Sequence, residues 1–352
     1  VTQEKTIQVL LAEDSAVTRQ YLVRLLESDA RISVIGAVDN GQAALDFVIE
    51  RKPDVILMDI HMPQMDGFEA TRRIMEHQPT PIVICSATAD PRDISIAFKA
   101  LEVGATACIE KPSWSASDHL TPSAQNLLDV VRQMAEVRVV KRRAKARPLP
   151  PIDVPPSAEI KLIGIGASTG GPPVLQTILG GLPRNFPVPI LVVQHISPGF
   201  LQGMASWLAQ TTGLPIQIAS DRLRPRPGHV YLAPDDFHLG VDLNGDLQLL
   251  QTPREHYLRP AVSFLFRSLA HACGPNAIGV LLTGMGRDGA DALKTMLDGG
   301  ALTIAQDRES SVVHGMPGAA IELGAARLVL PSDRIAAALV EHIQLRNGTS
   351  PH

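Results

Sequence analysis

The sequence predicts an α/β protein in two parts. A flavodoxin-like domain with a five-stranded parallel sheet comes first. A doubly wound, mostly parallel α/β domain with an antiparallel hairpin excursion follows. Three observations predict this. Short, continuously apolar, β-rich runs alternate with helical segments through most of the 352 residues, the rhythm of strands buried on both faces. A basic, proline-rich stretch near 138–157 interrupts that rhythm. The chain is also too long for one ordinary core. The expected division is 1–137, a linker over 138–157, and 158–352.

In the first part the strand-like runs are IQVLLA (7–12), ISVIGAV (32–38), VILMDI (55–60), PIVICSA (81–87) and TACIEK (106–111). Helical segments fall near 15–28, 41–51, 67–77, 91–103 and 123–140. In the linker Lys141, Arg142, Arg143, Lys145 and Arg147 precede Pro148, Pro150, Pro151, Pro155 and Pro156, a proline density that forbids helix. The basic run reads as a solvated helix end, with a partner-binding patch as the alternative. In the second part the buried-strand runs are KLIGIGA (161–167), PILVVQ (189–194), AIGVLLT (277–283) and ALTIAQ (301–306). Helices are expected near 172–182, 200–211, 287–298 and 316–323. Between 229 and 250, HVYLAP, FHLGVDL and DLQLL are separated by turns, and Asn244-Gly245 signals a hairpin.

An apolar fraction of 45% and a charged fraction of 19% are those of a globular protein. A net charge of -4 gives no electrostatic reason to expect a nucleic acid or a membrane surface as partner. Cys85, Cys108 and Cys273 lack metal-type spacing, so buried thiols in a reducing compartment are expected. No secretion signal is visible, nor any run approaching the ~18 apolar residues that span a bilayer. A cytoplasmic monomer without membrane insertion is the expectation.

In a parallel sheet, residues just past the strands' carboxyl ends share one crevice. Glu13 and Asp14 follow the first strand and Asp59 ends the third. Three such carboxylates repel one another unless a cation sits among them, and an oxygen-only set suits Mg²⁺. Ser86 and Lys111 end the fourth and fifth strands and offer a hydroxyl and an ammonium to a phosphoryl group on Asp59. The plainer reading makes Asp14 a helix N-cap and Lys111 a surface residue. The conjunction of these residue types at four strand ends favours the pocket. Lys111-Pro112 is a candidate cis bond.

The second part opens with LIGIGASTGGPP (162–173). Gly164 and Gly166 fit a dinucleotide fingerprint, but Thr169 occupies the third glycine's place and the next strand ends in Gln194-His195 instead of an acid. A Walker-type loop would need a lysine that is missing. Ser168 instead reads as a nucleophile between a strand and a helix N-terminus. It then needs a base, for which His195 follows the next strand, and an orienting carboxylate, for which Asp288 lies in LLTGMGRDGAD. His229, His238, His256, His271, His314, Asp291 and Asp307 remain competitors on chemistry alone.

Residues 6–125 resemble a response-regulator receiver domain, through Glu13-Asp14, Asp59 in MDIHMPQMDGFEA, Ser86 and Lys111-Pro112. The resemblance implies that Asp59 accepts phosphate from a histidine kinase, with Mg²⁺ held by Asp14, Asp59 and the backbone carbonyl of His61, beside Glu13. Cys108 stands where many receivers carry an aromatic switch residue. Residues 160–330 are similar to the catalytic domain of the CheB-type protein-glutamate methylesterases. The stretches are IGASTGGP (165–172), QHISPGF (194–200), YLAPDDFH (231–238), LRPAVSFLF (258–266), LTGMGRDGA (282–290) and TIAQD (303–307). That similarity implies Ser168 as nucleophile, His195 as general base and acid, and Asp288 as its orienter. It also implies Thr169 in the same site and the Met285 N–H as oxyanion donor. The implied reaction is hydrolysis of glutamate γ-methyl esters on chemotaxis receptors, with glutamine deamidation beside it and no metal in this half. A CheA-type kinase is the implied phosphodonor, and the unphosphorylated receiver is expected to pack over the Ser168 crevice. A regulator acting only by binding would instead carry a small basic output module.

Overall fold

The computed structural model describes residues 6–86, 98–112, 121–137 and 159–347. Its contacts divide the chain into Val1–Arg143 and Ala144–His352. The expected linker over 138–157 and most of the helix expected over 91–103 fall outside the described residues.

In the first unit, β1 (Ile7–Ala12), β2 (Ile32–Val38), β3 (Val55–Met58), β4 (Ile82–Ser86) and β5 (Ala107–Glu110) form one parallel sheet in the order β2-β1-β3-β4-β5. The strands are short and apolar because both faces are covered; every residue of β3 and β4 is buried. Helices α1 (Ala16–Glu27), α2 (Gly41–Glu50), α3 (Gly67–His77) and α4 (Pro122–Ala135) each begin on a side-chain cap. Ser15, Asn40, Asp66 and Thr121 accept from the amides of Thr18, Ala43, Glu69 and Ala124, satisfying donors that a helix start leaves open. The chain leaves β1 toward one edge and β3 toward the other, so the carboxyl ends of β1 and β3 flank the sheet's switch point.

The second unit carries β6 (Leu162–Ala167), α5 (Gly171–Gly180), β7 (Ile190–Gln194), α6 (Leu201–Thr212), β8 (Ile216–Ile218) and β9 (Val230–Leu232). Then come β10 (His238–Val241), β11 (Leu247–Leu250), α7 (Val262–Cys273), β12 (Ala277–Leu281), α8 (Ala290–Asp298) and β13 (Leu302–Gln306). α9 (Met316–Glu322), β14 (Leu328–Leu330) and α10 (Ser332–Asn347) complete it. Seven strands form one sheet, β14-β13-β12-β6-β7-β9-β8, and every pair in it is parallel. Among the strands of the described residues only β10 and β11 pair antiparallel, around the Asn244-Gly245 turn.

Three expectations are corrected. HVYLAP is not part of the antiparallel excursion: Val230, Tyr231 and Leu232 are buried and β9 pairs in parallel with β7. An unbroken apolar triplet belongs inside a covered sheet, and the hairpin signal applies only downstream. Helix α7 arises where the sequence offers only a motif. Its buried Val262, Leu265, Phe266 and Leu269 recur at helical spacing, and each is worth about 1.5–3 kcal/mol on burial. The cis X–Pro bond among the described residues is Arg259-Pro260, not Lys111-Pro112, where the default trans form holds. Helix α7 also explains two glycines of LIGIGA. A Cβ at Gly164 would come within 2.4 Å of Leu269 Cδ1, and one at Gly166 within 2.2 Å of Val262 Cγ1.

Candidate active site and phospho-acceptor pocket

In the second unit the chain runs from β6 to β7 on one side and returns to β12 on the other, so β6 lies at the topological switch. Ser168 leaves β6, His195 leaves β7, and the segment from Thr283 to Asp288 leaves β12, all at the carboxyl edge. Ala167 and Gln194 are register partners, so Ser168 and His195 emerge in step from neighbouring strands. The last rung of that ladder is the His195 amide donating to the Ala167 carbonyl at 2.9 Å.

His195 Nε2 lies 3.1 Å from Asp288 Oδ2. The contact is close but off the line of the ring N–H, since Nε2 is buried without a well-directed hydrogen-bond partner. Asp288 is 2% exposed. Its Oδ2 accepts the Val262 amide at 2.7 Å, and its Oδ1 accepts the Ser263 amide at 3.0 Å and the Ser263 hydroxyl at 2.6 Å. Val262 and Ser263 are the first residues of α7, whose own N-cap, Ala261, has no side-chain oxygen. A carboxylate at a helix N-terminus meets both open amides and the positive end of the helix dipole. Burial alone would raise the Asp288 carboxyl, but the nearby His195 ring and the hydrogen bonds from Ser263 outweigh it and hold it at about 2. Asp288 is therefore an anion at neutral pH, fixed in place and set against an imidazole.

Ser168 is partly exposed, and its hydroxyl makes no hydrogen bond among the described residues, to His195 or otherwise. Its main chain is tightly held. The Ser168 amide donates to the Thr283 carbonyl at 3.0 Å, and the Ser168 carbonyl accepts the Gly171 amide at 2.8 Å. Thr283, fully buried, donates its hydroxyl to the Thr169 carbonyl at 3.0 Å, and its amide donates to Gln306 Oε1 at 2.8 Å. The loop after Thr283 is pinned at Gly284, whose amide reaches the Val313 carbonyl and whose carbonyl accepts the amides of Gly315 and Met316. Met285, next in line, is 52% exposed and its amide takes no partner among the described residues. Gly284, its chain neighbour, lies against the serine, where an added Cβ would come 2.6 Å from Ser168 Cβ, so the open Met285 N–H is a candidate oxyanion donor.

Four of the competing residues are already committed, while His314 bridges to Gly284 at the edge of the site, its Nδ1 3.4 Å from the Ser311 hydroxyl. His238 is buried between the Pro253 carbonyl and the Ala261 amide. His229 faces the Pro227 carbonyl, Asp291 pairs with Arg287 at 3.9 Å, and Asp307 caps the Ser310 amide. Sequence reasoning missed Ser263, Thr283, Gln194 and Gln306. Gln194, Thr283 and Gln306 did carry a signal, being polar residues at the ends of apolar strand runs.

In the first unit Glu13, Asp14 and Asp59 bring carboxylate oxygens within 4.8 Å of one another. Lys111 Nζ lies 2.9 Å from Glu13 Oε2 and 2.8 Å from Asp59 Oδ2. Asp59 Oδ1 also accepts the Ile60 amide at 2.7 Å. Burial, with Asp59 adding to it, pushes the Glu13 carboxyl above its ordinary value against the pull of Lys111. Burial would lower the Lys111 ammonium, but Asp59 and Glu13 together raise it. Crowded oxygens with a carboxyl pushed toward its neutral form fit a hard divalent cation. Ser86 ends β4, with its carbonyl accepting the Lys111 amide at 2.9 Å. His61 is exposed just beyond Asp59. Cys108 lies in β5 opposite Ile84, and burial pushes its thiol up, so it stays protonated at neutral pH.

Residues 163–339 match the CheB methylesterase family, and residues 9–121 match the response regulator receiver domain family. A Nitrosospira multiformis protein named protein-glutamate methylesterase/protein-glutamine glutaminase is 46% identical over 350 residues, 97% of this chain and 99% of its own. A Geobacter metallireducens protein of the same name, numbered 4, is 48% identical over 339 residues, 95% of this chain and 98% of its own. The crystal structure of the Thermotoga maritima CheB methylesterase catalytic domain is 42% identical, with a TM-score of 0.51. It covers 53% of this chain and 100% of that chain.

Proposed function

This chain belongs to the CheB methylesterase family and carries a response regulator receiver domain, and from that premise we propose a phosphorylation-controlled serine esterase. It is a protein-glutamate methylesterase and protein-glutamine glutaminase. Its substrates are glutamate γ-methyl esters on cytoplasmic helices of methyl-accepting chemotaxis receptors, together with receptor glutamines. The observation that carries the reading is His195 against the buried Asp288 carboxylate, beside the strand end that bears Ser168.

In the proposed reaction Ser168 Oγ attacks the ester carbonyl and gives its proton to His195. Because Nε2 faces Asp288, Nδ1 is the ring nitrogen left for the serine. The tetrahedral oxyanion is met by the Met285 N–H, with Thr169 supporting the site. Methoxide is a poor leaving group, so His195 returns the proton as methanol departs. Water, deprotonated by His195, then releases the glutamate carboxylate and restores Ser168. Asp288 keeps the ring oriented and stabilises its protonated form.

In the receiver, Asp14, Asp59 and the His61 carbonyl, with Glu13 beside them, would hold Mg²⁺. The ion supplies positive charge to an incoming phosphoryl group. Asp59 accepts phosphate from a CheA-type histidine kinase, with Ser86 and Lys111 facing the product. The unphosphorylated receiver restrains the esterase and phosphorylation releases it. The proposed division is a receiver over 1–137, a linker over 138–157 and the esterase over 158–352, acting as a cytoplasmic monomer. The test is methanol release from methylated receptor membranes by the whole chain. Release should be lost in Ser168→Ala, and a small phosphodonor with Mg²⁺ should stimulate the parent but not Asp59→Asn. Unchanged release by Ser168→Ala overturns the mechanism.

A further inference from the structure

Gln194 closes β7 and is 5% exposed. Its Nε2 donates to two main-chain carbonyls at once, that of Ser168 and that of His195, each at 2.8 Å. A group between two acceptors must supply two protons, so chemistry fixes which end of the carboxamide is nitrogen. The other end, Oε1, is buried and accepts no hydrogen bond among the described residues. It lies against Gly171, where a Cβ would come 2.2 Å from it. An oxygen left without a donor is a cost that an apolar side chain would avoid. The compensation lies at the nitrogen.

We infer that Gln194 is a positioning residue for acyl transfer, tying the main chain of the nucleophile to that of its base. The inference rests on Ser168 and His195 having the roles proposed above. The β6–β7 ladder ends at the His195 amide, just where the two reactive residues begin. Beyond that rung the Ser168 chain turns into α5 while the His195 chain enters a loop, and the strand pairing no longer sets their relative rotation. The Gln194 amide acts as one further rung built from a side chain. With the Ser168 amide on Thr283 and its carbonyl on Gln194 and Gly171, the hydroxyl is the serine's one uncommitted polar group among the described residues. Gly171 leaves the room that the carboxamide occupies.

The test is Gln194→Glu in the full chain, which keeps the side chain's size and replaces both donors with oxygen. Two readouts are taken: steady-state methanol release, and the rate at which a fluorophosphonate probe labels Ser168. The expected result is a fall of about 100-fold in kcat and in labelling rate, with KM within about threefold, as for a small misplacement of reacting groups. The ratio of variant to parent activity should rise as pH falls, because protonating the introduced carboxylate restores one donor. If Gln194→Glu does not fold, Gln194→Met removes the donors without adding charge and is expected to show the same drop. Either folded variant with kcat and labelling within about threefold of the parent overturns the inference, as does a raised KM at parental kcat. Ser168→Ala separates the two levels. Labelling or hydrolysis that persists there refutes the serine mechanism itself, whatever Gln194 does.

Discussion

Replacing Asp288 with asparagine changes one atom of the site and none of its size, yet the structure predicts losses of two kinds. Each carboxylate oxygen faces two donor groups: the Ser263 amide and hydroxyl at Oδ1, the Val262 amide and the His195 ring at Oδ2. A carboxamide has only one oxygen. If its NH₂ occupies the Oδ2 position, the Val262 N–H faces a donor, and His195 must turn a bare Nε2 toward it. The ring proton then sits on Nδ1, the atom assigned to receive the serine's proton. If the NH₂ occupies the Oδ1 position, the Ser263 N–H is the one orphaned. Either way a buried amide loses its acceptor, about 1–3 kcal/mol, and the remaining bonds lose their charge assistance. The expected total is about 2–4 kcal/mol of stability, and about a 10⁴-fold loss in kcat where the tautomer is wrong. Urea unfolding followed by Trp207 fluorescence in a Trp114→Phe background reads the first, since Trp207 is buried in α6 of the same unit. Methanol release reads the second. A stability change under about 0.5 kcal/mol, or kcat within tenfold of the parent, would refute the four-donor account.

Three other outcomes are expected. Asp288 is held at about 2, below its ordinary 3.8. A depressed carboxyl stabilises the fold fully above the unfolded value and loses that contribution as pH falls through the folded one. About 2 kcal/mol should therefore disappear between about pH 4 and pH 2, and Asp288→Asn should lack that dependence in acid unfolding curves. Lys111→Met strands two buried carboxylates and should destabilise the receiver by about 3–5 kcal/mol. Mg²⁺ should then raise the receiver's melting midpoint more in the variant than in the parent; an equal rise would refute the charge argument. Tyr257 is 93% exposed at the tip of a two-residue turn, with φ of 66° after 49° at His256. Tyr257→Gly should relieve left-handed strain and stabilise the second unit by about 0.5–1 kcal/mol in the same urea assay, and destabilisation would show the strain is absent.

Much of the fold is legible because apolar strands alternate with capped helices, and both local signals agree with the sheet they build. The placement of Ser168, His195 and Asp59 just past strand ends is legible for a related reason: a polar residue directly following a buried strand emerges at the sheet edge. Asp288 is less so, since Asp291 and Asp307 are equal in composition. Only the meeting with the start of α7 singles it out. That meeting joins residues 26 and 25 apart in sequence, and Thr283 reaches Thr169 across 114. Neither periodicity nor spacing reports contacts of that range. The misplacement of β9 has a local cause. Three apolar residues are too few to show an alternating or continuous pattern, so the neighbouring hairpin signal extends across them.

The position of β6 between β7 and β12 has a consequence for how the chain is made. On the ribosome β6 and β7 emerge together, but β6's second neighbour, beginning at Ala277, follows only after most of the unit has been synthesised. At about 5–20 residues per second that interval is on the order of ten seconds. Throughout it an apolar strand carrying Ser168 presents an unpaired edge, open to pairing with another nascent chain. Asp288, which follows β12, is absent for the same interval, so the candidate site cannot assemble until at least 120 residues have followed Ser168 off the ribosome. Crowded polysomes and any chaperone that shields the β6 edge thus bear on how much working esterase a cell obtains.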